Sequence, residues 1–208
     1  SSWRKDGVGR SRRKPVQGLE ALHVLTPEEA IKQSPNLSGP IVVYDDEQGY
    51  LAGVIADHLS FDEHEVIFIT PASVVSPWTE STLEQKRIQK ALLVSGVNVI
   101  CNKTIDKAEG SNLNLKCVFT GEISLLKCSS LVMVTERIPN TKLYDQLVEQ
   151  ENNTEQGEAK HIQLIGDAES PGLIADAVFL GHLAAQSFEE PEQEIQKAMF
   201  MREMPSLK

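Results

Sequence analysis

The sequence predicts an α/β protein: a Rossmann-like, NAD(P)-binding-type parallel sheet carrying an antiparallel β-meander, followed by a strand-Gly-Asp-helix segment. Three observations carry this. Ile41-Val42-Val43-Tyr44 and Glu65–Thr70, with Val66, Ile67, Phe68 and Ile69, are continuous apolar runs, the mark of strands buried on both faces. Between them Leu51, Val54, Ile55, His58 and Leu59 fall at helical spacing, making one βαβ unit. From Lys103 to Lys127 the apolar period drops to two, with turn signals at Ser111-Asn112 and Thr120-Gly121.

Taken in order, residues 1–14 are basic and show no apolar period. Arg4, Lys5, Arg10, Arg12, Arg13 and Lys14 stand against Asp6 alone. This stretch reads as a solvated tail, or as a loop lying near phosphate or against an acidic neighbour. Thr26-Pro27-Glu28-Glu29 starts a short helix: Thr26 caps, Pro27 fits the first helical position and Glu29 completes a capping box. After the βαβ unit, Thr79 or Ser81 opens a helix through Leu83, Ile88, Leu92 and Leu93, closed by Gly96. Val97–Cys101 is a third strand and Leu131–Val134 another buried one. Leu143–Val148 is a short helix, and Glu149–Ala159 a polar surface loop. His161–Ile165 is a strand, and 172–188 a helix with Leu173, Ile174, Ala177, Val178, Gly181, Ala184, Ala185 and Phe188 on one face. The Met-rich stretch from Met199 to Met204 reads as packing.

Composition narrows the function classes. The chain has 208 residues and a net charge of −10, which argues against nucleic acid as the main partner. No apolar run reaches a membrane span. The three cysteines, Cys101, Cys117 and Cys128, lack any C-x-x-C, so no zinc ribbon, cluster run or redox dithiol is encoded. They read as reduced core thiols of a cytoplasmic protein, with a Cys117–Cys128 disulfide as the alternative. None of His23, His58, His64, His161 and His182 sits beside a nucleophile motif, so no catalytic residue and no metal ligand is assigned. The chain opens Ser1-Ser2-Trp3-Arg4 without an initiator methionine, and reads as a piece of a longer protein.

Two places hold candidate site residues. The turn after Tyr44 has the frame of a dinucleotide site but reads Asp45-Asp46-Glu47, with Gly49 in the place of the second glycine of G-x-G-x-x-G. Carboxylates there repel phosphate and satisfy the helix dipole themselves, so this degenerate turn is expected not to bind. The other place is Gly166-Asp167, where a carboxylate lies beside a helix start; a simple capping role is the alternative.

The layout, with Trp3-Arg4-Lys5-Asp6-Gly7-Val8-Gly9-Arg10 and the run from Ile165-Gly166-Asp167-Ala168-Glu169-Ser170-Pro171-Gly172 through Gly181-His182, resembles the C-terminal part of the trimethylamine dehydrogenase-like flavin and iron–sulfur oxidoreductases. The resemblance covers essentially the whole chain. It implies a parent enzyme with an N-terminal β/α barrel holding FMN and a four-iron cluster, an FAD-like half domain, absent here, whose nucleotide place an ADP can occupy, and an electron-transferring flavoprotein as acceptor. It implies the division 1–38, basic loop and linker from the FAD-like domain; 39–140, degenerate NAD(P)H-like domain; 141–190, return segment of the FAD-like domain; 191–208, tail. It makes Gly166 and Asp167 nucleotide-adjacent, and the chain itself non-catalytic and without its own cofactor. The alternatives are the corresponding part of a 2,4-dienoyl-CoA reductase-like NADPH enzyme, against which the carboxylate turn speaks, and a stand-alone interaction module.

Overall fold

The computed structural model describes residues 1–153 and 162–188. The chain forms two compact units, one of Trp3–Arg137 and one of Ser1–Ser2 with Ile138–Lys208.

β1 (Ser2–Trp3) and β10 (Arg137–Ile138) fall on the sequence boundaries of the units, and the first unit contains β2 (His23–Leu25), α1 (Pro27–Gln33), β3 (Ile41–Asp45), α2 (Leu51–Phe61), β4 (Val66–Ile69), α3 (Gln85–Val94), β5 (Asn98–Ile100), β6 (Lys103–Glu109), β7 (Asn112–Cys117), β8 (Ile123–Lys127) and β9 (Ser130–Val134). A five-stranded parallel sheet runs in the order β2-β9-β3-β4-β5. Its centre is in register, with Ile41 opposite both Val66 and Ser130. All residues of β3, β4 and β9 are buried, which is why they read as unbroken apolar runs. Alternation divides β3 between two cores. Ile41 and Val43 pack with Ala52, Ile55, Leu59 and Leu92. Val42 and Tyr44 pack with Ile105, Leu113 and Leu115 of the antiparallel β6-β7-β8 sheet.

α1 begins as its residues dictate. The Thr26 hydroxyl accepts from Glu29 N–H at 3.2 Å, and the Glu29 carboxylate accepts from Thr26 N–H at 2.8 Å. Lys5 adds a salt bridge to Glu29 at 2.5 Å. Thr26→Ala is therefore expected to cost about 1 kcal/mol, read as a shift in the urea midpoint at unchanged slope.

Several sequence expectations are corrected. α3 starts at Gln85, not at Thr79 or Ser81, because Pro77–Glu80 winds into a 3₁₀ turn and Leu83 adopts φ 62°. Leu83 is accordingly 90 % exposed instead of packed on the helix face. β2 had no signal: it is three residues long, and only its parallel pairing with β9 makes it a strand.

The second unit contains α4 (Lys142–Asn153) and α5 (Ile174–Gln186). α4 takes up part of the stretch read as loop; the remainder to Ala159 lies outside the described residues, as do His161 and the Met-rich tail. Residues 162–165 are not a strand, and no strand among the described residues pairs with them. The apolar face read on 172–188 is not a buried one: Leu173, Ile174, Val178 and Phe188 are all more than half exposed among the described residues.

Candidate functional site

The strand order changes direction beside β3. The path β3-α2-β4-α3-β5 moves to one side, and β9 returns on the other. Ligands of open α/β sheets bind outside the carboxyl ends of the strands at such a point. The segment from Asp45 to Tyr50 lies there, between the end of β3 and the start of α2.

Four of its backbone donors are already used. Asp46 N–H and Glu47 N–H both donate to Val134 O, at 2.9 and 3.0 Å. Gln48 N–H donates to Asp45 Oδ1 at 2.7 Å, and Gly49 N–H donates to Glu47 Oε2 at 3.0 Å. Gln48 holds φ 67°, so the turn closes on itself. Two N–H groups that face a pyrophosphate at this point, those of Gln48 and Gly49, are thus bound to the turn's own carboxylates. A phosphate here would displace two of these bonds and face three acids. The residues present do not fit a dinucleotide phosphate.

Burial sets the electrostatics. Asp45 is fully buried, and its Oδ2 has no hydrogen-bond partner among the described residues. Burial pushes its carboxyl well above the usual range, against the opposing hydrogen bond from Gln48. Asp46 is also raised by burial, partly offset by the Ser11 N–H, which lies 3.2 and 2.9 Å from its two oxygens. The Tyr44 hydroxyl beneath is pushed up to about 12 by burial and by Asp46; it lies 2.9 Å from Thr104 Oγ1.

The basic stretch is therefore no solvated tail: it lies against an acidic neighbour. Val16 N–H donates to Asp6 O at 2.8 Å, closing the ends of a loop. Gly9 N–H donates to Arg12 O at 2.9 Å and turns its tip. Gly9 passes so close to Asp46 that a Cβ would stand 2.4 Å from Oδ2. The Arg12 guanidinium donates to the carbonyls of Ile105 and Asp106, at 2.9 and 3.0 Å. Arg10 stacks over Trp78, 4.9 Å from the ring centroid, and Trp78 N–H donates to Gln48 O. Sequence reasoning missed Gly9, Ser11 and Trp78 as parts of this site. The glycine pair Gly7 and Gly9 inside a basic run was the available signal.

Gly166 and Asp167 belong to the other unit. Gly166 is buried at φ 57°. Asp167 Oδ1 accepts Gly172 N–H at 3.2 Å and Oδ2 accepts the Ser1 hydroxyl at 2.7 Å, so the carboxylate ties down the turn before α5. An added ribose hydroxyl would compete with Ser1 for that oxygen.

The remaining candidates make structural contacts. Ser34 Oγ donates to Asp62, and His64 Nε2 lies 2.8 Å from Ser34 O. His58 Nε2 stands 3.8 Å from Asp62. His23 Nδ1 is 3.3 Å from Ser130 Oγ. Among the described residues no group of His, Cys, Asp and Glu could hold a metal ion. No helix among them is long and apolar enough to cross a membrane. All three cysteines are free, which removes the Cys117–Cys128 bridge, and Cys128 alone of them is buried in the core. Burial pushes Cys128 up to about 12. The Thr120 hydroxyl, with the N–H groups of Thr120 and Phe119, brings Cys117 down to about 7.

No family model matches the chain. It is 26% identical over 217 residues to dimethylamine dehydrogenase of Hyphomicrobium sp. (strain x), covering 95% of this chain and 29% of that protein. The histamine dehydrogenase of Rhizobium sp. 4-9 superposes with a TM-score of 0.85 at 33% identity, over 91% of this chain and 30% of that one. The 6-hydroxypseudooxynicotine amine oxidase of Pseudomonas geniculata N1 superposes with a TM-score of 0.81 at 30% identity, over 90% and 28%. Sequence and fold agree, and the chain is a homologue of these amine-oxidising oxidoreductases that spans less than a third of the length of each.

Proposed function

We propose that the chain is a non-catalytic part of a flavin-dependent amine dehydrogenase: a Rossmann-like domain of NAD(P)-binding type that has lost its nucleotide, followed by the return segment of an FAD-like domain. In this reading the whole enzyme carries out oxidative N-demethylation or deamination in the cytoplasm. An FMN and a four-iron cluster would be held in a β/α barrel outside this chain and would supply the redox chemistry, with an electron-transferring flavoprotein as acceptor. The domain of this chain is scaffold. The single observation that carries the reading is the self-satisfied turn: Gln48 N–H and Gly49 N–H, at the mouth of the switch-point crevice, are bound by Asp45 and Glu47. A domain that handled NADPH would keep those donors for phosphate. Gly166 and Asp167 would stand beside an ADP or FAD, with Asp167 an acceptor for a ribose hydroxyl in exchange for Ser1.

Calorimetric titration of NADH and NADPH tests this. No binding is expected at micromolar affinity, and micromolar binding of either would overturn the reading. The combined change Asp45→Gly, Asp46→Gly and Glu47→Gly, which frees the donors, serves as the gain-of-binding control.

A further inference from the structure

The loop from Asp6 to Val16 is a closed surface loop of the Ω type, a class often used for recognition. Its ends are joined by Val16 N–H to Asp6 O, and Val8 and Val16 anchor it in the core. Between them stand Arg10, Arg12, Arg13 and Lys14 and no acid. Arg12 is spent on carbonyls. Arg10, Arg13 and Lys14 are exposed, and among the described residues none of the three forms a salt bridge. Arg10 is held over Trp78, which is itself 59 % exposed. A chain of net charge −10 thus presents a rigid cationic tip beside an exposed aromatic ring.

We propose that this tip is a docking surface for a carboxylate-rich segment of a partner protein. A compact phosphate suits it poorly. Phosphate sites use convergent backbone N–H groups, whereas Val8, Gly9, Ser11 and Val16 donate theirs within the unit. What remains exposed are the long side chains of Arg10, Arg13 and Lys14, spread along the loop, matching spaced carboxylates. Arg and Trp are also the side chains that most often anchor protein interfaces. Nucleic acid, with its dense charge, is repelled by the molecule as a whole.

The test is a fluorescein-labelled decaglutamate peptide titrated into the full chain by anisotropy, at about 10 mM ionic strength where screening is weak. Binding is expected, with a change in Trp78 emission that Trp78→Phe removes. The double variant Arg13→Glu, Lys14→Glu is expected to weaken binding about tenfold or more, while Lys86→Glu, Lys90→Glu on the exposed side of α3 changes it less than about twofold. Unchanged circular dichroism confirms that the variants fold; a variant that does not is replaced by Arg13→Gln, Lys14→Gln. The proposal is overturned if the peptide does not bind, if both double variants weaken it equally, or if pyrophosphate or phosphatidylserine vesicles bind the tip more tightly than the peptide. NADH titration plays no part in this readout, so its outcome and that of the proposed function are separable.

Discussion

Gly18→Ala is expected to lower the unfolding free energy by about 3 kcal/mol, and Gly96→Ala by only about 1 kcal/mol. The two glycines share one backbone conformation, φ +80°, in which an L side chain pays the left-handed penalty of about 1–2 kcal/mol. Their surroundings differ. A Cβ at Gly96 meets nothing within 4 Å. At Gly18 it would stand 2.1 Å from the carbonyl oxygen of Ala108. That oxygen belongs to β6, and the chain beside it is fixed by Ala108 N–H donating to Gln17 O at 2.8 Å and by the parallel bridge of Gln17 to Lys107. Neither backbone can retreat without losing that pairing, so relief requires the segment to lift off the meander. Urea unfolding of both variants beside the parent gives the comparison. If Gly18→Ala is no worse than Gly96→Ala, the close approach to Ala108 is not a constraint on the fold.

A strand buried on both faces writes itself as an apolar run, and β3, β4 and β9 were legible for that reason. So were the meander, by its period of two, and α1, by Thr26 and Glu29. β2 was not, because three residues carry no period and its identity comes from β9. The start of α3 was misread because Leu83 fits an apolar face on paper while its φ of 62° excludes it from a helix. The face on α5 was legible as apolar, but periodicity says which residues share a side and not whether anything covers it.

The site divides in the same way. The excess of carboxylates at Asp45, Asp46 and Glu47 is a local fact, readable from three letters. That Asp45 and Glu47 close on the turn's own N–H groups follows from short-range geometry and could be anticipated. The engagement of Ser11 with Asp46 spans 35 positions in the chain, and nothing local encodes it. Gly9 is glycine for a neighbour that only the fold brings near.

Asp45→Asn is expected to stabilise the protein at neutral pH, by an amount that grows as pH rises. Asp45 is an ordinary carboxyl in the unfolded chain, near 3.8, and is held well above that value in the folded state by burial. Between those two values the folded state retains a proton that the unfolded state has lost. Folding is then favoured at low pH, and stability falls as pH rises from about 4 toward the folded value, by about 1.4 kcal/mol per pH unit for this one group. Asparagine is neutral throughout, keeps an oxygen for Gln48 N–H, and brings no charge to desolvate. Asp46 is raised in the same direction and its charge also raises Asp45, so the separation of the two curves reports the coupled pair. Denaturant unfolding of parent and variant at intervals from pH 4 to pH 8 should therefore give curves that nearly coincide at the acid end and separate above it until the folded value of Asp45 is passed, the variant being the more stable. Parallel curves would mean that Asp45 has the same proton affinity in both states, and that its buried oxygen is solvated after all. A variant less stable at every pH would mean that the second oxygen accepts a hydrogen bond which the asparagine amide cannot replace.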